Sequence, residues 1–286
     1  MIKLALPKGR LNNEIIKLIK ESGISITHGD REYKPKINLP NFDVKLLKHR
    51  NILEMLNTGI RDIGFLGHDW ILETNSTDLT CILETNLNPV KLIVAAKEPE
   101  KIKKMMENNE QIRIASEYEI ITHNWIVKNN IKNAVYIKTY GATEVFPPDD
   151  SDLILDNTST GSTLKANGLT IIDTVMTSTT GLYCNKSLLK NEEKMIEINK
   201  FVLLLKSVLT GRMYKLIEFN ISEESFNKIV KYLPCMQSPT ISKLYDNEGY
   251  AVKVCIKNDE ILELLPLLKE HDATDILVNK INQIVR

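Results

Sequence analysis

A run of hydroxyl side chains follows an acidic residue at the end of a predicted strand. The stretch reads Asp156-Asn-Thr-Ser-Thr-Gly-Ser-Thr-Leu164, and a helix-compatible segment begins at Leu164. Backbone N–H groups at the start of a helix lack partners within the helix and carry a partial positive charge. Gly161 has no Cβ to hold a ligand away from the backbone. The stretch therefore predicts a site that binds a phosphate dianion without a lysine.

The residues expected to hold this phosphate are consecutive in the chain. They are Thr158, Ser159, Thr160, Gly161, Ser162 and Thr163. Asp156 would face a sugar beyond the phosphate and accept hydrogen bonds from its hydroxyls. A Ser/Thr-rich turn that merely caps a helix is the alternative interpretation, because caps use the same residue types. The acid at the strand end and the length of the hydroxyl run favour the phosphate site.

Short strands and helices alternate before and around this stretch. A first set has predicted strands at 2–6, 42–47, 62–66 and 90–94, with helices at 11–22 and 51–57. A second set has strands at 112–114, 134–138 and 153–155, with a helix at 119–129. Such interleaving indicates α/β layers with largely parallel sheets. Two sets predict two similar lobes with a cleft between them, a common place for ligands.

A different order of elements follows a long amphipathic helix predicted at 191–209. After Gly211 come a strand at 214–219, a helix at 223–232, two strands around a turn at 246–249, a helix at 260–270 and a strand at 276–278. Ser222 is a plausible N-cap of the first of these helices. Strand–helix–strand–strand–helix–strand is the ferredoxin-like order.

Composition limits the classes of partner and compartment. The 286 residues contain 37 Lys plus Arg and 37 Asp plus Glu, so no overall field favours nucleic acid or an anionic membrane. The longest apolar run, at 201–205, and the short one before Pro7 are too short for a membrane span or a signal peptide. The four cysteines form no Cys-x-x-Cys pair, which disfavours a zinc site and a disulfide framework. We expect a soluble cytoplasmic protein.

Three further stretches accompany the hydroxyl run in a recognisable order. They are Ala5-Leu-Pro-Lys-Gly-Arg10, Asp62-Ile-Gly-Phe-Leu-Gly-His-Asp69 and Gly141-Ala-Thr-Glu144, with tail segments at 238–241, 248–250 and 273–278. Over essentially the whole chain, these motifs resemble the long-form ATP phosphoribosyltransferases, the family that opens histidine biosynthesis.

The resemblance implies a fold and a reaction. The fold would be a two-lobed, periplasmic-binding-protein-like α/β catalytic part followed by a ferredoxin-like (ACT-like) α+β regulatory domain. Lobe I would comprise residues 1–95 completed by 185–211, lobe II residues 96–184 with the phosphoribosyl-diphosphate loop, and the regulatory domain residues 212–286. The reaction would transfer the 5-phosphoribosyl group of phosphoribosyl diphosphate to N1 of ATP. Mg²⁺ would be the cofactor, held mainly by substrate phosphates and water.

The resemblance also implies roles for individual residues. Asp156, Lys8 and Arg10 would be catalytic, with the two cations neutralising phosphate oxygens from the opposite lobe. Arg50, Asp69 and Glu144 would line the nucleotide side of the cleft. Histidine would inhibit by binding between regulatory domains of neighbouring subunits in a homo-oligomer, a dimer or hexamer. Its candidate contacts are Asn220, Met236, Ser238, Thr240 and Asp275.

Simpler interpretations and rival functions stay open at this level. Lys8 and Arg10 are compatible with surface charges, Arg50 with a solvated cation, and the C-terminal domain with oligomerisation alone. His68, His123, Trp70 and Trp125 fit structural roles better than catalytic or stacking roles. One rival is a non-enzymatic solute-binding protein on the same scaffold. The other, a phosphoribosyltransferase for free bases, usually has an acidic pair where this chain has only Asp156.

Overall fold

Residues 1–27, 29, 33–245 and 249–286 are described by a computed structural model of the chain, with the exception of the Arg10 side chain. Contacts divide these residues into two units. The first unit comprises 1–16 and 26–198, and the second comprises 17–25 and 199–286. The predicted turn at 246–249 lies outside the described residues except for Gly249.

The elements that lie wholly or partly in the first unit alternate as the sequence indicated. They are β1 (Ile2–Pro7), α1 (Arg10–Glu21), β2 (Ile26–Thr27), β3 (Lys36–Ile37), β4 (Phe42–Leu47), α2 (His49–Asn57), β5 (Ile63–Gly67), α3 (His68–Glu73), β6 (Leu79–Ala96), α4 (Pro99–Glu107), β7 (Ile112–Ser116), α5 (Glu119–Lys128), β8 (Ala134–Lys138), β9 (Leu153–Thr158), α6 (Ser162–Ala166), β10 (Thr170–Asn185) and α7 (Glu192–Arg212). Short 3₁₀ turns lie at Thr143–Val145 and Lys186–Lys190. The ends of α1 and α7 belong to the second unit.

One eight-stranded sheet organises this unit, in the order β4-β1-β5-β10-β6-β9-β7-β8. Its outer strands are parallel, since β1 pairs with β4 and β5, and β7 pairs with β8 and β9. The long strands β6 and β10 run antiparallel to each other and to their neighbours β9 and β5. Each half therefore has the same five-stranded order, β4-β1-β5-β10-β6 and β8-β7-β9-β6-β10. This is the two-lobed periplasmic-binding-protein-like arrangement, which confirms the expected fold class.

Apolar strands place a core in each lobe. In lobe I, helix α2 packs on β1 and β5, and a Cβ on Gly64 would lie 2.6 Å from a methyl carbon of Ile52. In lobe II, Ile112, Ile114 and Leu153 are fully buried from solvent. Trp125 is 4% exposed there and donates its indole N–H to Asp173, 2.7 Å away. Burial of this kind agrees with the packing role expected for Trp125.

The described residues of the second unit form further strands and α-helices, namely β11 (Tyr214–Ser222), α8 (Glu223–Ile229), β12 (Thr240–Lys243), β13 (Gly249–Lys257), α9 (Ile261–Glu270) and β14 (Thr274–Lys280), with short 3₁₀ turns at Val230–Tyr232 and Asn258–Glu260. Its antiparallel sheet has the order β12-β13-β11-β14, which is the ferredoxin-like topology. Ser222 caps α8 as predicted, since its Oγ accepts the N–H of Ser225 at 3.2 Å. None of the helices within the described ranges has the length and apolar character required to cross a bilayer.

Candidate active site

The hydroxyl-rich stretch connects β9 to α6 with a slightly different layout from the prediction. Strand β9 continues through Asp156 to Thr158, and helix α6 begins at Ser162 rather than at Leu164. The strand is longer because Asp156, Asn157 and Thr158 pair with β6, which the sequence could not reveal. Gly161 occupies the N-cap of α6 at φ 74°, a conformation that favours glycine.

The loop leaves the start of α6 open towards a cavity. The N-cap residue of α6, Gly161, has no side chain to cap the helix, and Thr160 Oγ1 accepts the N–H of Ser162 at a long 3.4 Å. Within the loop, the N–H of Gly161 donates to Thr158 Oγ1 at 3.1 Å, and the hydroxyl oxygens of Thr160 and Ser162 lie 3.0 Å apart. The cavity has a volume of about 310 Å³. All seven residues expected at the donor site line it, namely Asp156, Thr158, Ser159, Thr160, Gly161, Ser162 and Thr163.

Asp156 is half-buried beside this loop and has an unusual acidity. Burial, together with the charges of Glu144 and Glu117, raises the pKa of its carboxyl group to about 6. The backbone N–H of Asn157, 2.7 Å from Asp156 Oδ1, and the Thr143 hydroxyl oppose that change in pKa. The carboxylate is therefore mostly ionised at neutral pH, and it gains a proton when the pH falls to about 6.

A buried hydrogen-bond network joins the two lobes next to Asp156. Asp69 is 4% exposed, and its two carboxylate oxygens accept hydrogen bonds from Ser178 Oγ at 2.7 Å and from the Tyr118 hydroxyl at 2.8 Å. Asn157 Nδ2 in turn donates to the Tyr118 hydroxyl oxygen at 3.0 Å. Burial, together with the Asp69 charge, raises the pKa of Tyr118, so this hydroxyl remains protonated. The network fixes the end of β9 to α3 and β10.

A larger cavity of about 620 Å³ adjoins the loop cavity, because Glu117, Asn157 and Ser159 line both. Aromatic rings form part of its wall. The Trp70 ring lies 4.1 Å from the His49 ring and 5.0 Å from the Tyr118 ring, measured between centroids. Trp70 also packs against the core of lobe II, so it combines the expected packing role with a place in the cavity wall.

His49 contributes a polar ring to this wall. Burial and the neighbouring Arg50 charge lower the pKa of His49, so its imidazole is neutral at pH 7. Its Nε2 atom is buried and forms no hydrogen bond with the part of the chain that the structure describes. Arg50 stands beside it, with its guanidinium carbon 5.2 Å from the Trp70 centroid and Nη2 3.8 Å from a Glu117 carboxylate oxygen.

The remaining candidate residues divide between the two cavities. Lys8 lines the larger cavity, and its ammonium nitrogen lies 3.3 Å from the centroid of the Tyr33 ring. Asp69 lines the same cavity, whereas Glu144 lines the smaller loop cavity together with Asp156. The structure thus does not bring Asp69 and Glu144 together on one side. The Arg10 side chain lies outside the described part of the chain.

Glu73 is a functional-site neighbour that the sequence did not indicate. Its carboxylate accepts the backbone N–H groups of Glu119, Ile120 and Ile121 at 2.6, 3.2 and 3.1 Å. Glu73 ends α3 of lobe I, and the three donors begin α5 of lobe II. The sequence analysis did not identify the hydrogen-bonding roles of Glu73, Tyr118, Asn157 and Ser178. Of these, Asn157 alone had a signal in the sequence, because it lies within the hydroxyl-rich stretch.

Three of the candidate histidine-binding residues meet in the second unit. Asn220, Thr240 and Asp275 line a cavity of about 360 Å³, and Asn220 Nδ2 donates to Asp275 Oδ2 at 2.9 Å. Met236 and Ser238 are not among the residues that line it. Met236 instead donates its backbone N–H to the carbonyl oxygen of Cys255 at 2.8 Å.

Comparisons with known proteins cover nearly the whole chain. A family model described as ATP phosphoribosyltransferase matches residues 48–207, and one described as HisG, C-terminal domain matches residues 211–283. The ATP phosphoribosyltransferase of Methanocaldococcus jannaschii is 37% identical over 289 residues, covering 100% of both chains. That of Thermodesulfovibrio yellowstonii is 36% identical over 290 residues, covering 100% of this chain and 98% of the relative.

A solved structure gives the same result. The chain resembles the ATP phosphoribosyl transferase (HisG:HisZ) complex from Thermotoga maritima with a TM-score of 0.58 and 25% identity, over 72% of this chain and 99% of that chain. These similarities do not favour the rival interpretation as a solute-binding protein. The chain belongs to the ATP phosphoribosyltransferase family.

Proposed function

We propose that the chain transfers the 5-phosphoribosyl group of phosphoribosyl diphosphate to N1 of ATP, the first step of histidine biosynthesis. The bond from the ribose C1 atom to diphosphate breaks, and its electron pair leaves with diphosphate. The N1 lone pair of ATP forms the new bond to C1. One observation carries the proposal, namely that all seven residues of the candidate donor site line one cavity.

In this proposal the donor lies in the loop cavity. The 5-phosphate accepts hydrogen bonds from backbone N–H groups and hydroxyls at 158–163, since Gly161 at the N-cap of α6 has no side chain in the way. Asp156 accepts hydrogen bonds from the ribose hydroxyls. Its negative charge also stabilises the positive charge that spreads over the ribose ring as diphosphate leaves. A pKa of about 6 leaves this carboxylate ionised at the pH of the cytoplasm.

The acceptor nucleotide occupies the adjoining larger cavity in the same proposal. A purine is flat and apolar on its faces, which suits the half-buried ring of Trp70 in the cavity wall. The fully buried Tyr118 ring packs against Trp70, 5.0 Å away between centroids. The buried Nε2 of His49, a residue of the cavity lining, offers a hydrogen bond to the base. Arg50 does not itself line the cavity, but it lies 3.8 Å from the lining residue Glu117 and would neutralise phosphate oxygens from there. Lys8 and Arg10 neutralise oxygens of the two polyanions. Fixing both substrates in adjoining cavities supplies the alignment on which the rate of such a displacement depends.

We assign Mg²⁺ to the substrates rather than to a protein cage. No cluster of three or more His, Cys, Asp or Glu side chains suited to a metal occurs in the described ranges. Asp156 and Glu144 border the loop cavity, and their carboxylates suit the water shell of a hydrated Mg²⁺ ion. The ion would offset the charge of the diphosphate group.

The regulatory part of the proposal concerns the second unit. Residues 1–95 with 185–211 and residues 96–184 form the proposed catalytic lobes, and 212–286 the proposed regulatory domain. Histidine is the proposed inhibitor, bound near Asn220, Thr240 and Asp275 in a homo-oligomer. The carboxylate of Asp275 suits the ammonium group of an amino acid.

A product assay tests the reaction. The full chain is incubated with ATP, phosphoribosyl diphosphate and Mg²⁺, and phosphoribosyl-ATP is followed by absorbance and mass spectrometry. We expect product only when both substrates are present. Product formed from free adenine but not from ATP would support the free-base transferase. Tight binding of either substrate with no product at all would support a binding protein.

A further inference from the structure

A second basic cavity lies in the second unit. It has a volume of about 620 Å³ and is lined by residues from α1, the end of α7, β11 and the end of β14. Gly211 lets the C-terminal chain close one side, since a Cβ there would lie 2.9 Å from the carbonyl oxygen of Asn282. The cavity is therefore bounded by four separate parts of the unit rather than by one exposed helix.

Positive charge predominates in the lining. Its cations are Lys17, Arg212, Lys215 and Lys280, and its acid is Glu21. Arg212 donates from Nε and Nη2 to one oxygen of Glu21, at 3.0 and 2.8 Å, so this acid is already paired. The chain as a whole has no net charge. The excess of cations in this cavity is therefore a local feature and does not follow from the overall composition.

The three lysines have no acidic partner of their own. No ion pair involves Lys17, Lys215 or Lys280 within residues 1–27, 29, 33–245 and 249–286. Lys215 of β11 stands directly opposite Lys280 of β14 in the antiparallel pair. Directly opposed residues point to the same face with Cβ atoms about 5 Å apart, and two like charges there destabilise the sheet. An anion between the two ammonium groups would remove that repulsion.

We infer that this cavity binds a compact polyphosphate, separate from the proposed active site. A cluster of lysines with a fixed guanidinium suits several phosphate oxygens at once. The volume accommodates a diphosphate or triphosphate group. Free diphosphate and the triphosphate of a nucleotide carry the same chemistry. Since Lys17 and Lys280 are exposed, binding weakens as ionic strength rises.

Hydrogen–deuterium exchange of the full chain locates the site directly. Inorganic diphosphate, inorganic triphosphate, ATP and adenosine are titrated separately while peptides covering 206–218 and 276–286 are followed. We expect protection of both segments by the three phosphate compounds and none by adenosine. Whichever of diphosphate and ATP protects at the lower concentration identifies the source of the polyphosphate. Protection at 156–166 serves as the internal reference for the proposed donor site.

Matched variants separate the cavity from general charge effects. Lys215→Gln with Lys280→Gln should raise the protecting concentration of diphosphate at least tenfold at 206–218, leaving protection at 156–166 unchanged. Lys215→Arg with Lys280→Arg should restore protection. Lys231→Gln with Lys243→Gln, an equal loss of charge on lysines of the same unit outside the lining, should change nothing. Absence of protection in the parent chain, or equal protection in the glutamine variant, overturns the inference.

Discussion

At the scale of the residue, the acidity of Asp156 links the fold to the proposed chemistry. Burial makes the ionised carboxylate costly, and two nearby carboxylates add to that cost. A positively charged ribose ring and Mg²⁺ bound to the donor would reverse that balance. Substrate binding would therefore stabilise a charge that is costly in the free protein.

Replacing Asp156 by Asn tests its role in the reaction. A hydrogen bond to a charged group contributes about 1.5–3 kcal/mol. We therefore expect kcat/KM for phosphoribosyl diphosphate to fall about 10- to 100-fold. In the parent chain, kcat/KM should also decline below pH 6, where the carboxylate gains a proton. The variant should show only the part of this decline that comes from protonation of the substrate.

Steady-state rates of both variants are measured between pH 5 and 9, with a nearby exposed acid as the control. Asp150→Asn changes the same charge on an exposed residue outside the loop cavity and should retain the parent rate and pH profile. Parent-like activity of Asp156→Asn would remove Asp156 from the site.

The same substitution has an opposite effect on stability. The pKa of Asp156 rises from 3.8 to about 6 on folding, so the folded chain binds this proton more tightly than the unfolded chain. The contribution of Asp156 to the free energy of unfolding therefore falls as pH rises from about 4 to about 6, and it changes little above that range. Asp156→Asn should be more stable than the parent at pH 8, by up to about 3 kcal/mol, and about equal at pH 4. Urea unfolding followed by Trp70 and Trp125 fluorescence measures the free energy of unfolding of the first unit. An equal difference between variant and parent at pH 4 and pH 8 would contradict the burial of this carboxyl group.

At the scale of the element, the entry into α6 determines whether a phosphate can approach. Gly161 and Gly168 flank this helix at φ 74° and 67°, and a Cβ on either would meet nothing within 4 Å. Alanine at either position should cost about 1 kcal/mol through the backbone alone. Only Gly161→Ala places a methyl group in the loop cavity, so only this variant should raise the KM for phosphoribosyl diphosphate. Equal KM values in the two variants would show that the phosphate does not touch this N-cap.

The contact from α3 to α5 holds the two lobes together. Glu73 brings a carboxylate to three N–H groups at a helix N-terminus. Glu73→Gln removes the charge and should lower the free energy of unfolding of the first unit by about 1–2 kcal/mol. Glu119→Gln changes an exposed acid in the first turn of the same helix and should have a smaller effect, because its partner Lys138 is also exposed. Equal losses in urea unfolding would assign the effect to helix charge alone.

Local sequence patterns predicted the elements that contain their own signals. Hydrophobic periodicity predicted strands β1 and β4 and helix α5. Periodicity and helix-ending residues such as Gly211 predicted the order of elements in the second unit. Strand β10 was not predicted, because its 16 residues lack a regular apolar–polar alternation. Its pairing with β6, which shifts register five times, joins segments far apart in the chain. The antiparallel crossing of β6 and β10 was missed for the same reason, although it joins the lobes.

The donor loop was predictable and its supporting network was not. Asp156 to Thr163 are consecutive, so their chemistry is visible in one stretch of sequence. The partners of Asp69 lie 49 and 109 residues away along the chain, at Tyr118 and Ser178. Nothing local distinguishes that tyrosine from any other buried aromatic residue. Contacts of this kind become visible only once the sheet has brought its strands together.

At the scale of the whole molecule, each unit contains its own candidate ligand sites. The first unit contains the loop cavity and the larger cavity lined by Trp70. The second unit contains the cavity around Asn220 and Asp275 and the basic cavity. This division fits an enzyme whose activity and regulation can be altered by separate substitutions.

Asp275→Asn tests the proposed regulation. Asp275 is the acid of its cavity that accepts from Asn220, and the loss of one charged contact to histidine should raise the inhibitory concentration about tenfold or more. Uninhibited activity should not change. Asp272→Asn is the matched control, since Asp272 has a similar positive φ but does not line the cavity. Unaltered inhibition in Asp275→Asn, measured in steady-state assays with added histidine, would place the inhibitor elsewhere.

The binding position of phosphoribosyl diphosphate tests the donor-site assignment most directly. A crystal structure of the full chain with this substrate should show the 5-phosphate between residues 158 and 163 and the ribose hydroxyls within hydrogen-bond distance of Asp156. Substrate bound in another cavity, with the space beside Gly161 empty, would contradict the assignment.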